Sequence, residues 1–505
     1  MAEARADEPA KTGRGRRRAP RDPSRRSGRG IRGRLALVKD PSWWKRHRWF
    51  LGVLALGTVL RALAMLGYRP ALWFPDSYTY IVTVFKPSPD LVRPAGYPMF
   101  MKLLQPFHSF GVVTAAQHLL GLAIGVLIYR AARRAPRWVA TLATVPVLLD
   151  AYQIELEHLL VSDTLFMFLV VAAAALCVTE RRATVVAIGL LLAAATLTRT
   201  IGQPLIVLFA AWFVLRGRVR LAGVLLAAAL VPLVAYGGWF YATYHRVGLV
   251  GANGVFLYAR TMSFADCAKM DPPPDLRVLC DPRPPERRPP SQEYIWAKDS
   301  PLVELPGITF TKKNDDLAGR FATLAITSQP LDYAASVLTE LGRTFTWGRP
   351  VYPDHEIYGY YQFPVKEPGP PGRYPAQVGA DYAKLYEQGA IGTKIVEPYA
   401  GWLRAYQSVA RLPGLLLLGA LLVPLVAAVT RRRRPRHPPP WLVPWSAAVV
   451  LLVTPAVAAE FDYRYVLPAV PLACLAAALS IRPDVLTQSG GDNEFGDDIP
   501  PNVRL

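Results

Sequence analysis

Apolar runs of near-spanning length, separated by short charged breaks, set the pattern of this chain. They are Trp49–Gly67, Val112–Arg130, Trp138–Leu149, Thr164–Thr179, Ala183–Leu197, Gln203–Leu215, Leu221–Trp239, Leu412–Thr430, Trp441–Ala459 and Val466–Ser480. A helix perpendicular to a bilayer needs roughly 20 apolar residues, so the shorter runs require tilt, local thinning or burial inside a bundle. The pattern predicts a mainly α protein, a polytopic transmembrane helix bundle of about ten spans. Residues 241–411 interrupt it. That stretch is far too long for a connecting loop, is rich in Tyr and Trp, and is punctuated by Pro272–Pro274, Pro284–Pro285 and Pro289–Pro290. It predicts an external domain inserted before the last three runs, with a helix over residues 315–345 broken at Pro330.

The charged breaks orient the bundle. Arg130, Arg133, Arg134 and Arg137 form one; Arg181 and Arg182 a second; Arg216, Arg218 and Arg220 a third; Arg431 to Arg434 with Arg436 the last. An even number of runs separates each from the next, so all of them and the N-terminal tail fall on the cytoplasmic side together. Both termini are then cytosolic and the chain is multi-pass in the cytoplasmic (plasma) membrane. The expected organisation is a disordered basic tail (1–48), an N-terminal transmembrane module (49–240), the external domain (241–411), a C-terminal transmembrane module (412–483) and an acidic tail (484–505). External segments are 68–111, 150–163, a turn at Arg199, the inserted domain, and the link 460–464.

Composition agrees. Of 505 residues 52% are hydrophobic and only 19% charged, yet the net charge is +21. That excludes a soluble globular enzyme, a disordered protein and a small disulfide scaffold. Residues 1–48 hold sixteen Lys/Arg against five Asp/Glu, so +11 of the +21 lies there. Such a tail before a first apolar helix suits anionic lipid better than nucleic acid, and no nucleic-acid partner is expected. Cys177 and Cys474 fall in apolar runs and suit small core residues. Cys267 and Cys280 lie in the external domain, where an oxidising compartment favours a local disulfide.

Ionisable residues near one membrane face are the place to look for function. After the first run comes Phe74-Pro75-Asp76-Ser77, then Arg93-Pro94-Ala95-Gly96-Tyr97-Pro98. Asp76 is either a helix N-cap or a general base facing an external cavity. Glu155, Glu157, His158, Ser162 and Asp163 form a second cluster. Part of it suits a helix start, and its spacing falls short of a tight metal motif, so no cofactor is assigned and a divalent metal is the lesser reading. Arg199 and Arg464 are isolated cations near the external ends of runs. For Arg464 the plain alternative is an internal salt bridge to Glu460 or Asp462; for Arg199 it is snorkelling to headgroups. Both also suit an anionic, lipid-borne substrate. The interiors of the runs are almost free of charge, which favours surface chemistry over permeation.

These residues fall in an ordered set: Asp76 after the first span, Arg93-Pro94-Ala95-Gly96-Tyr97-Pro98, Gln117–Gly121 leading to Tyr129-Arg130, Glu157 with Ser162-Asp163, Thr198-Arg199, and Asp462-Tyr463-Arg464-Tyr465 with Pro468 and Pro471. The set resembles the GT-C superfamily of integral membrane glycosyltransferases, related to protein O-mannosyltransferases and the aminoarabinose transferase of lipid A. It covers roughly residues 49–240 and 440–480. The long external segment is similar to domains of actinobacterial relatives.

The resemblance implies a GT-C-like bundle that moves a sugar, hexosyl or pentosyl, from a polyprenyl-phosphate carrier to an external glycan, lipid or protein acceptor. It implies Asp76 as the base of an inverting displacement. Arg464, Arg199 and Arg93 would then hold the donor phosphate, and Glu157, His158, Asp163, Tyr97 and Asp462 would position acceptor or sugar hydroxyls. Ser77 stands where the family often has a second acid. A lipid-linked sugar flippase or transporter, and a non-catalytic envelope-assembly scaffold, are the other classes compatible with the chain.

Overall fold

A computed structural model describes residues 41–178, 184–369, 374–430 and 437–481. Most of the expected N-terminal tail, the acidic tail, and the basic breaks at 181–182 and 431–436 lie outside the described residues. The described chain is almost entirely helical, with one two-stranded ladder.

Four helices are long and apolar enough to cross a membrane among the described residues: Pro41–Gly67, Phe110–Ala131, Val219–Tyr244 and Tyr463–Ser480. Two bent pairs raise this to six if each counts as one span: Arg137–Leu149 with Ala151–His158, and Tyr399–Val409 with Gly414–Thr430. Asp163–Val178, Val185–Thr198, Thr200–Leu215 and Leu442–Ala458 are apolar but shorter. The long apolar helices are those of a multi-pass membrane protein, with four to six candidate spans by length where the hydropathy pattern predicts about ten. Two of the short helices end at charged residues. Asp163 opens Asp163–Val178, and Arg199 follows the last residue of Val185–Thr198.

Val185–Thr198 packs against both Asp163–Val178 and Val219–Tyr244. Buried Ala173, Ala174, Ala193, Ala195 and Ala229 belong to these three helices, and small residues of that kind let helix backbones approach closely. Outward faces remain apolar: Val59, Val231, Val234 and Val426 are all more than half exposed, as lipid contact requires.

The segment 241–411 divides its burial. Val255, Tyr258, Met270, Leu279, Tyr294 and Phe321 build a separate small core, where Asn253–Thr261 packs on Lys312–Ser328. The helix expected over 315–345 is present as Lys312–Ser328 and Pro330–Arg343, with Gln329 between them and Pro330 in the first turn of the second. Cys267 and Cys280 are disulfide-bonded, with Cα atoms 6.1 Å apart.

The later part of the segment buries itself elsewhere. Tyr361, Phe363, Ala400 and Leu403 join the main core with Tyr68, Leu72 and Phe74. Tyr374–Glu387 packs on Pro75–Phe85, and Lys394–Ile395 pairs antiparallel with Tyr68–Arg69, Tyr68 opposite Ile395. Long-range pairing of this kind fixes the loop after the first span onto a segment more than three hundred residues away in sequence.

The bridge closes a chain interval of 13 residues, which corresponds to about 3 kcal/mol of loop entropy in the unfolded state. Replacing Cys280 by Ser is expected to lower the stability of the Val255–Ala325 core by about that amount. Limited proteolysis with and without reductant checks it: cleavage within residues 253–333 should rise in the variant, and reductant should add nothing further.

Candidate active site

The site forms where five stretches of chain meet: the starts of Pro75–Phe85 and Asp163–Val178, the bend at Arg93, the end of Val185–Thr198, and the link from Asp462 to Arg464. Pro75 begins the helix Pro75–Phe85 at its first position, so Asp76 falls in the first turn and does not cap it. The cap interaction belongs to Ser77, whose Oγ accepts the Phe74 N–H at 3.0 Å and donates to the Leu160 carbonyl at 2.8 Å. The Asp76 carboxylate is thereby free for other partners, although it is only 8% exposed.

Two guanidinium groups take it. Arg93 Nη2 donates to Oδ1 at 2.5 Å and Arg464 Nη1 to Oδ2 at 3.1 Å. Asp90 sets up Arg93 by accepting the Val92 and Arg93 N–H groups, each at 2.8 Å. The following turn lies against the end of Val185–Thr198. A Cβ on Gly96 would stand 2.5 Å from the Leu197 carbonyl oxygen, so only glycine permits this approach.

Arg464 is held from three directions. Asp462 Oδ2 lies 3.2 Å from its Nε, and Asp462 Oδ1 accepts the Arg464 backbone N–H at 3.1 Å, so Asp462 caps the short helix carrying Arg464. Tyr361 O–H donates to Asp462 Oδ2 at 2.7 Å. The guanidinium carbon stands 4.4 Å from the Phe74 ring centroid, a cation–π contact strengthened by burial. Burial alone would raise the Asp76 pKa. The two guanidiniums outweigh it and hold the carboxyl at about 2.

A second ion pair lies alongside. Arg199 pairs with Asp163, and its guanidinium stands over the Tyr465 ring at 5.2 Å, while Arg464 stands over the same ring at 5.3 Å. Tyr80 O–H donates to Ser162 Oγ at 3.2 Å. Burial, with the Asp76 charge adding to it, pushes the Tyr80 hydroxyl up to about 12, so it stays protonated. The structure therefore brings together Asp76, Arg93, Arg464 and Asp462, with Asp163 and Arg199 next to them. The plain alternative for Arg464, a salt bridge to Asp462, is present, and the same guanidinium also reaches Asp76; Arg199 has a carboxylate partner within the protein. Glu460 instead accepts from Tyr352 O–H at 3.2 Å.

Glu157 and His158 belong to a different, fully buried network. Arg61 Nε and Nη2 bond the two Glu157 carboxylate oxygens at 2.7 Å each. Arg61 also donates to the carbonyls of Gly57, Leu148 and Val147. His118 bridges Glu157 Oε2 and His158 Nδ1, at 3.0 Å to each, and His158 Nε2 lies 2.6 Å from the Tyr68 carbonyl oxygen. Tyr97 joins this network through Gln117, donating to its Oε1 at 2.7 Å. The Gln117 amide in turn donates to the Glu157 and Leu159 carbonyls.

Arg61 and His118 escaped the sequence reading, and Arg61 is the exception within runs that are otherwise almost free of charge. A lone Arg inside Trp49–Gly67 was the available signal. Tyr361, deep in the inserted segment, carried none. Among the described residues no three His, Cys, Asp or Glu side chains gather as a metal-holding set.

No protein-family profile and no curated protein matches the chain. Among solved structures it is similar to the S. cerevisiae protein O-mannosyltransferase Pmt1–Pmt2 complex bound to the sugar donor, at 15% identity and a TM-score of 0.33, over 50% of this chain and 39% of that one. It is also similar to the Archaeoglobus fulgidus oligosaccharyltransferase in the apo form, at 13% identity and TM-score 0.43, over 90% and 54%. A third is ArnT from Cupriavidus metallidurans bound to undecaprenyl phosphate, at 15% identity and TM-score 0.34, over 86% and 77%. The chain thus spans about two fifths of the first and about half of the second. The similarities assign it to no family.

Glu157 leaves room for nothing but glycine opposite it: a Cβ on Gly121 would stand 2.0 Å from Oε1. Removing one partner from a buried ion pair typically costs 3–5 kcal/mol. Glu157→Gln is expected to destabilise by about that much because Arg61 is left buried and uncompensated. Gly121→Ala should act in the same direction by displacing the carboxylate. Unfolding midpoints in detergent, compared with an exposed control substitution, check both.

Proposed function

We propose that the chain is a membrane glycosyltransferase that moves a sugar, hexosyl or pentosyl, from a polyprenyl-phosphate carrier to an acceptor hydroxyl at the external face of the cytoplasmic membrane. The observation carrying this reading is the buried Asp76 carboxylate gripped by guanidiniums from two distant loops, Arg93 and Arg464, within the ordered motif set that resembles GT-C enzymes. One carboxylate and several positive groups are what direct displacement at an anomeric carbon needs. The acceptor oxygen attacks that carbon, its proton passes to Asp76, and the bond to the phosphate oxygen breaks on the opposite face, inverting the centre. The phosphate departs with its lipid, and its developing charge is matched by guanidinium groups. Arg464 and Arg93 stand nearest to this task, with Arg199 beside them; Asp462 and Asp163 orient Arg464 and Arg199. Tyr97, Glu157 and His158 support the floor of the site and position the acceptor or sugar indirectly.

A carboxyl held at about 2 is a poor base. Donor binding resolves this. A phosphate entering the site competes for Arg93 and Arg464, withdraws their positive charge from Asp76, and raises its proton affinity when a sugar is present to react. Before that, the ion pairs keep the base masked.

Transfer is tested with the purified full chain and short-chain polyprenyl-phosphate mannose, glucose and arabinose, following release of free polyprenyl phosphate in the presence of an envelope extract as acceptor. Asp76→Asn should lower turnover about 10²–10⁴-fold and Arg464→Gln about 10²–10³-fold, with both proteins still folded. A flippase would release nothing, and a scaffold would support envelope assembly equally well with Asp76→Asn. Arg93→Gln removes one of the cations that depress the Asp76 carboxyl, so its pKa rises. The acid limb of kcat/KM against pH should therefore move to higher pH in the variant and never to lower.

A further inference from the structure

A helix on the surface of a water-soluble domain turns its polar face outward. Pro330–Arg343, in the inserted segment, does the reverse. Leu331 is 83% exposed and Leu338 68%, and Ala334, Ala335 and Gly342 are exposed with them. At 3.6 residues per turn these five positions form one stripe along the helix, and none of them carries a charge. Thr339, at the edge of the stripe, donates its hydroxyl to the Ala335 carbonyl at 2.9 Å, so its polar group is satisfied within the helix.

The polar side chains lie on the opposite side. Glu340 is buried, accepts the Phe461 N–H at 2.8 Å and stands 3.1 Å from the Tyr352 hydroxyl. Tyr333 donates to the Val457 carbonyl at 3.0 Å.

Two anchors set the helix against the bundle. Near its start, Tyr333 meets Val457, one residue before the end of Leu442–Ala458. Just past its end, the Gly414 N–H donates to the Thr346 carbonyl at 2.9 Å, and a Cβ on Gly414 would run into the Thr344 carbonyl oxygen. Gly414 is the first residue of Gly414–Thr430. The helix covers about 16 Å between Tyr333 and Thr344, little more than half of a hydrocarbon core about 30 Å thick. Both anchors therefore belong to one membrane face, the one at which the link to Arg464 begins, and a helix joining them runs across that face.

The stripe also continues a surface already apolar. Leu415 and Leu416, beside the second anchor, are about half exposed, and Val457 at the first anchor is partly so. They belong to apolar helices whose outward residues suit lipid. Trp347, exposed just beyond the helix, is of the type enriched where membrane meets water.

We propose that Pro330–Arg343 is seated in the bilayer surface beside the active site, with Leu331, Ala334, Ala335 and Leu338 among lipid acyl chains. The inserted segment then holds the membrane with one side of this helix. With the other, through Glu340 and Phe461, it holds the link that carries Arg464.

Site-directed spin labelling of the full-length protein in phosphatidylethanolamine–phosphatidylglycerol vesicles tests it. Cys177 and Cys474 are buried and Cys267 is bonded to Cys280, so the nitroxide reports the introduced thiol. Leu331→Cys and Leu338→Cys are read against Val426→Cys, exposed on Gly414–Thr430, and Lys313→Cys, exposed on Lys312–Ser328. Both helix labels should meet oxygen more than a water-soluble nickel chelate, in the manner of Val426 and unlike Lys313, at a depth of about 5–10 Å. Preference for nickel at either label would leave the stripe in water. Shielding of either label from both reagents would put protein on it, a second copy of the chain in these vesicles. Each of those results overturns the proposal. All four substitutions fall at exposed positions, and the readout needs no sugar transfer, so failure of the glycosyltransferase reading leaves the test intact.

Discussion

A carboxylate cannot be taken out of water without compensation, and Asp76 is compensated twice. That requirement ties the helix after the first span to a link 388 residues further along the chain, and much of the surrounding architecture follows from it. Asp462 caps the helix that carries Arg464, Tyr361 donates to Asp462, and Phe74 offers its ring to the same guanidinium. Three acids, Asp76, Asp163 and Asp462, face three arginines, Arg93, Arg199 and Arg464. The site is therefore electrically balanced when empty. In the proposed reaction a donor phosphate would meet this set by displacing one of its own carboxylates.

The buried network around Glu157 performs a different task with similar chemistry. Arg61, His118, His158 and Gln117 bind one another and the backbone of the segment entering the site, through the carbonyls of Tyr68, Glu157 and Leu159. Tyr97 hangs from Gln117, and its ring lies 4.9 Å from that of Tyr80, which donates to Ser162 beside Asp163. A path of hydrogen bonds and one edge-to-face ring contact thus runs from Arg61 in the first long helix to Ser162, next in sequence to Asp163. Arg61 in the first long helix is explained by this frame: in a low-dielectric interior a fully paired network rigidifies its surroundings, whereas a half-paired one would be worse than apolar packing.

Much of this was legible in the chain. The apolar runs correspond to helices, and the order Asp76, Arg93, Asp163, Arg199, Arg464 marked residues that come together, because short-range context (a Pro before, a Gly after, an apolar helix beside) places Asp76, Asp163, Arg199 and Arg464 at helix ends, with Arg93 in the bend before Gly96–Leu104. What the sequence could not convey was pairing. Nothing local distinguishes Glu157, which lies at the end of one helix and faces inward to Arg61, from Asp163, which opens the next and faces Arg199. The inserted segment misled for a related reason. Its Pro runs and cysteines suggested one external domain, and residues 253–333 do hold a core of their own. The part from Tyr361 to Leu403 buries its apolar groups against the segment after the first long helix and the bundle instead, a choice fixed by partners hundreds of residues away.

The distance along the chain between Asp76 and Arg464 also bears on how the protein is made. Translation proceeds from one end, so the first acid, its helix and Arg93 leave the ribosome long before the second guanidinium exists. For most of synthesis that carboxylate has a single cation and an unfinished wall. Closure of the pocket therefore waits for the segment that carries Arg464, and until then the acid stands half-neutralised beside an unfinished wall.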